Sequence, residues 1–160
     1  MNNKQPTVYI ICGFIGAGKT TFAKKLEKQT GALRITKDEW LIDLVGHDPQ
    51  IEGFEKYDEK ICKLSYKIAL EFIKRGIDVI IDEGFWVKQQ RQDIRERMEK
   101  TGAKVILYYV NCPMEVMRER VVGRNNNLSP DSFKISEQLF ENYAKYWQPL
   151  EADEDYVLAS

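Results

Sequence analysis

Four residues within one short glycine-rich run, Gly13, Gly18, Lys19 and Thr20, fill the fixed positions of the pattern G-x-x-x-x-G-K-[ST], and Gly16 adds a third glycine inside the turn. Each residue type answers a demand of a polyphosphate. Glycines let backbone N–H groups close around phosphate oxygens with no Cβ in the way. The amides of Gly16, Ala17, Gly18, Lys19, Thr20 and Thr21 run from the loop into the helix that must begin here, and the helix adds the positive end of its dipole. The Lys19 ammonium can lie between β- and γ-phosphates, and the Thr20 hydroxyl can take Mg²⁺. Upstream, Thr7-Val8-Tyr9-Ile10-Ile11-Cys12 is the apolar, β-branched run of a buried parallel strand. Downstream, Phe22, Ala23 and Leu26 have helical spacing. Strand, loop and helix follow in the order that nucleoside triphosphate binding requires.

Two carboxylates have the right surroundings to join that loop. Asp82 ends the apolar run Val79-Ile80-Ile81, where a carboxylate can hold Mg²⁺ beside Thr20; its bland alternative is a turn residue. Asp38 follows a second short strand. Phosphoryl transfer needs a carboxylate beside the attacking hydroxyl, although Asp38 could equally cap the helix it precedes. Glu83 has no decided role. Arg118, Arg120 and Arg124 lie on and after a helix opened by Pro113, and Arg120 and Arg124 share a face if that helix runs on. With the polar stretch that follows, residues 118–135 read as a lid whose Arg120 or Arg124 would meet the transferring phosphate, while Arg118 competes with a plain solvated face. Phe85 and Trp86 could wall an acceptor pocket, although aromatics are more often packing.

The elements that must position these residues alternate along the chain. Strands are expected at 7–12, 32–36, 78–82, 104–111 and 156–158. Helices are expected after Gly18, at 38–45, 54–75, 88–101, from Pro113, and at 136–147. In the long helix the stripe Ile61, Leu64, Ile68, Phe72 predicts the buried face. The expected fold is α/β: a P-loop NTPase three-layer sandwich with a five-stranded parallel sheet and a helical lid, as one domain over 1–160. With 43% apolar residues the chain can build one real core, and its net charge of −1 gives no case for long nucleic acid. No run suits a membrane span, and the N-terminus does not read as a signal peptide. Cys12, Cys62 and Cys112 have no C-x-x-C spacing, which fits a reducing cytoplasm, and His47, the one histidine, reads as a solvated loop residue.

Over nearly its whole length the chain resembles the small P-loop kinases, AAA-type ATP-binding proteins related to the zeta-toxin, chloramphenicol phosphotransferase and polynucleotide 5′-kinase families. The resemblance rests on Gly13–Thr20, Ile35–Glu39, Val79–Trp86, Val110–Pro113 with Arg118–Arg120, and Phe133–Pro149. It implies Asp38 as the base for the acceptor hydroxyl, Arg120 or Arg124 as the lid arginine, and ATP with Mg²⁺ as cofactors. Polynucleotide kinases often carry an arginine three residues past that aspartate, where this chain has Leu41. That departure disfavours a nucleic-acid acceptor and leaves a nucleoside, sugar, antibiotic or sugar-nucleotide. The alternative from another class is an ATP-hydrolysing switch acting on a protein partner. A GTPase is disfavoured because no Asn-Lys-x-Asp motif occurs.

Overall fold

The computed structural model describes residues 5–159. Five parallel strands form one sheet: β1 (Thr7–Cys12), β2 (Leu33–Ile35), β3 (Val79–Gly84), β4 (Lys104–Tyr109) and β5 (Val157–Leu158), in the order β2-β3-β1-β4-β5. The most apolar strands take the inner places because both their faces are covered; Val8, Ile10, Ile11, Val79, Ile80 and Ile81 are fully buried. Between them run α1 (Lys19–Thr30), α2 (Lys37–Val45), α3 (Phe54–Lys74), α4 (Lys88–Glu99), α5 (Met114–Gly123) and α6 (Glu137–Ala144). A single 3₁₀ turn, Arg124–Asn126, prolongs α5.

Helices cover both faces. Phe22 of α1 packs on Tyr108 of β4 on one side, while on the other Arg97 of α4 stands over the Tyr66 ring of α3. The face α3 buries is not the expected one: Ser65, Ala69 and Ile73 point inward, and Leu64 is 47% exposed. Small residues let α3 approach β3 closely enough for a polar contact, from Ser65 Oγ to Glu83 at 2.6 Å. The larger residues of the stripe flank that seam.

The pairing of β1 with β3 carries the detail that matters most for the site. Ile11 opposes Asp82, but Cys12 opposes Gly84, so Glu83 is an extra residue at the strand end. Such a bulge re-aims side chains. Strand alternation sends the two adjacent carboxylates to opposite faces: Asp82 turns to the glycine loop, and Glu83 turns to α3.

Candidate active site

Backbone dictates the glycine loop. A Cβ on Gly13 would stand 2.4 Å from the Val110 carbonyl oxygen, and one on Gly16 would stand 2.5 Å from that of Met117. Gly16 also has φ +80°, which side chains disfavour. The Gly13 N–H donates to Gly84 O at 3.0 Å, tying the loop to the end of β3. Phe14, at a variable position of the motif, is fully buried against Trp86, Phe140 and Trp147 at ring distances of 5.1–5.6 Å. The loop is thus anchored by an aromatic the pattern does not mention. No side chain caps α1 at Gly18, so its first-turn amides face outward, free of intrahelical partners.

Lys19 leads from that turn back across the loop, its Nζ donating to Phe14 O at 3.0 Å. Burial lowers its pKa, and Asp82 and Asp38 oppose that shift. Asp82 is 4% exposed, and burial lifts its carboxyl to about 6 against the pull of Lys19, Arg34 and a hydrogen bond from Thr20. Its Oδ2 is buried without a hydrogen-bond partner, with Arg34 Nη1, likewise unpartnered, 3.9 Å away. A free carboxylate oxygen beside a hydroxyl and a phosphate cradle fits an Mg²⁺ held partly by nucleotide phosphates. Among the described residues no cluster of three or more His, Cys, Asp or Glu could hold a metal unaided.

Asp38 lies in the first turn of α2. The residue that precedes the helix is Thr36, so Asp38 is not the cap. Burial raises its pKa, while Lys37, Lys19 and Arg124 pull the other way. Arg124 is half-buried, with Nε unpartnered and its charge felt by Asp38 and Asp131. Arg120 reaches the loop directly, its Nη1 3.4 Å from Gly16 O and 3.7 Å from Cys112 Sγ. Arg118 instead faces Glu137 and Glu141 of α6, 3.6 Å from each. Lys19, Thr20, Asp38, Asp82, Arg120 and Arg124 therefore gather at the carboxyl end of the sheet, and Arg118 does not join them.

The expectation for His47 needs correcting, and other readings gain detail. His47 is not simply solvated: its Nδ1 lies 2.8 Å from Ser132 O, and its own carbonyl accepts from Lys134 N at 2.8 Å. Lys24 pairs with Asp131 at 2.5 Å, so the 129–134 segment spans from α1 to the α2–α3 connection. Trp86 packs on Phe14 and Tyr143 within the aromatic cluster. Glu83, left without a role by the sequence, faces α3, where it accepts from Ser65 Oγ at 2.6 Å and from Tyr66 OH at 2.9 Å. Cys12 is buried, its thiol pushed up to about 12 by desolvation, and all three cysteines are unpaired. Sequence reasoning missed Arg34, Phe14 and the pair Lys37–Asp58, which is 2.7 Å long and adjoins Asp38. Arg34 stands four residues before Asp38, a usable signal; Asp58 offered none, being joined to Lys37 only by the fold.

Similar proteins have the same architecture. Over 156 residues the chain is 22% identical to UMP-CMP kinase 1 of Oryza sativa subsp. japonica, covering 92% of this chain and 63% of that one. It therefore spans just under two thirds of that curated relative. A candidate kinase from Chloroflexus aurantiacus superposes with a TM-score of 0.77 at 17% identity, over 99% of this chain and 86% of the other. A chain of the Pnkp1/Rnl/Hen1 RNA repair complex superposes with a TM-score of 0.73 at 22% identity, over 91% of this chain and 45% of the other. No helix among the described residues is long and apolar enough to cross a membrane. The family model for this loop-and-sheet arrangement matches residues 8–150, and the chain belongs to the AAA domain family designated AAA_33.

Proposed function

We propose that this chain is a Mg²⁺- and ATP-dependent kinase that moves the γ-phosphate of ATP to a hydroxyl of a small molecule. The observation that carries the reading is that Asp38, in the first turn of α2, lies within the electrostatic reach of Lys19 and Arg124, the two cations that would face the γ-phosphate. A nucleotide switch needs no carboxylate there; a transferase does. The acceptor oxygen bonds to Pγ as the bond from Pγ to the β-bridging oxygen breaks, ADP leaves, and the acceptor proton passes to Asp38. Gly13, Gly16, Ala17, Gly18, Lys19, Thr20 and Thr21 would cradle the phosphates. Thr20 and Asp82 would hold Mg²⁺, which neutralises charge on the phosphates when bound. Arg124 and Arg120 would offset charge growing on the transferring group.

In this reading 1–160 act as one domain, with 118–135 as the lid. Burial that raises the Asp38 pKa moves it toward the range useful for a base. The net charge of −1 and Leu41 favour a small acceptor over a polynucleotide. The RNA repair neighbour makes a 5′-hydroxyl oligonucleotide a necessary arm of any test. The three free thiols support a reducing, cytoplasmic setting.

The test is ADP formation from Mg-ATP, alone and with nucleosides, sugars, antibiotics, sugar-nucleotides and 5′-hydroxyl oligonucleotides. Acceptor-stimulated turnover that needs both Lys19 and Asp38 is the expected result. Slow turnover indifferent to every acceptor and to Asp38→Asn would instead support the ATP-hydrolysing switch.

A further inference from the structure

We infer that Glu39, helped by Glu27, is a positioning residue for the metal: it holds the Arg34 guanidinium off Asp82, so that one Asp82 oxygen stays open to Mg²⁺. The inference rests on the Asp82–Mg²⁺ part of the reading above and deepens it. Parallel pairing sets Arg34 of β2 opposite Ile80 of β3. Side chains two apart on a strand share a face, so Asp82 stands diagonally ahead of Arg34 on the same side of the sheet. An arginine and a buried aspartate placed this way can join through charge-assisted bonds about 2.7–2.9 Å long.

They do not join. Arg34 Nη1 and Asp82 Oδ2 lie 3.9 Å apart, and each atom is buried with no hydrogen-bond partner. Leaving two complementary buried atoms unjoined is unfavourable for both. A move of about 1 Å would close the gap. The other nitrogens of Arg34 explain why it stays open. Nη2 donates to Glu39 Oε1 at 2.8 Å, and Nε donates to Glu27 Oε2 at 3.4 Å. The guanidinium is a planar, rigid fork, so bonds to α1 and α2 at two of its nitrogens fix where the third can lie.

Glu39 makes the shorter contact, from the first turn of α2, and is the stronger hold. If Arg34 closed on Asp82, it would occupy the oxygen that a metal needs and set a like charge against the incoming cation. Held back on the far side, it leaves that oxygen without a competing donor.

Binding of a non-hydrolysable ATP analogue to the full chain, measured by calorimetry in Mg²⁺ and in EDTA, tests this through the ratio of the two affinities. Glu39→Gln should let Arg34 close on Asp82 and cut that ratio by about 10- to 100-fold, with the affinity in EDTA little changed. Glu27→Gln, at the longer contact, should cut it less. Arg34→Met alone should keep or raise the ratio, and adding it to Glu39→Gln should restore it. That restoration separates holding from a structural role, because a helix loosened by loss of Glu39 is not repaired by removing Arg34 as well. A ratio that Glu39→Gln leaves unchanged, that Arg34→Met lowers, or that the double variant fails to recover would overturn the inference and leave the kinase standing. If Mg²⁺ does not tighten the analogue in the unaltered protein, the Asp82–Mg²⁺ reading falls and this inference with it.

Discussion

At the scale of single residues, the site is expensive to keep charged. Asp82 titrates near 6 in the folded chain because burial outweighs Lys19, Arg34 and Thr20. A carboxyl whose folded pKa lies above its unfolded value contributes stability that is fully present below the unfolded value, near 3.8, and is lost as pH rises through about 6. Without Mg²⁺, the protein should therefore unfold at higher urea at pH 5 than at pH 7 in this contribution. The window is worth at most about 3 kcal/mol. Asp82→Asn should flatten that dependence, which urea titrations at the two pH values read directly, and should weaken Mg²⁺ dependence of nucleotide binding. Asp38, raised in the same direction, adds to the same trend. Its own substitution separates roles: Asp38→Asn should keep ATP binding and lose about 10²- to 10⁴-fold in transfer. Undiminished transfer would place the base elsewhere. Lys19→Ala should abolish turnover, because it removes the ammonium that lies back across the glycine loop.

At the scale of elements, what the sequence made legible was local. The strand–glycine–helix unit at Thr7–Thr30 is written in consecutive residues, and so is the carboxylate ending β3. The buried face of α3 was not, because size was a poor guide: Ser65 and Ala69 are inside since α3 lies close on β3, and Leu64 is outside. Asp58 and Lys37 are 21 residues apart, and His47 and Ser132 are 85 apart, so only folding pairs them. The segment after α5 is held by such contacts, among them Lys24–Asp131, His47–Ser132 and the Phe54–Phe133 rings, 5.4 Å apart, together with two hydrogen bonds between Asn125 and the backbone of buried Ile135. The Lys24 side chain is 47% exposed, so its ion pair is worth no more than about 1 kcal/mol. Asp131→Ala should then speed proteolytic cleavage within 124–135 and leave the global urea midpoint nearly unchanged. A matching fall in the midpoint would mean that this segment opens only with the whole protein.

At the scale of the whole molecule, Arg91 joins the end of the chain to the site. It is 1% exposed and donates to Glu154 twice at 2.7 Å, to the Phe85, Trp86 and Gln148 carbonyls, and so fixes the turn after β3. That turn includes Phe85 at φ +48°, a conformation the surrounding bonds must hold. Arg91→Met strands Glu154, whose side chain is 9% exposed, and should cost about 3–5 kcal/mol in urea unfolding. Adding Glu154→Gln should recover much of the loss, which a purely steric role for Arg91 would not allow. The tight seating of Gly16 on Met117 has a wider effect. The loop's backbone packs directly on α5, which carries Arg120 and runs straight into Arg124. A ligand that fills the loop and one that sets those arginines act across the same contact, and linkage runs both ways: whatever pins the arginines in place must also tighten nucleotide binding.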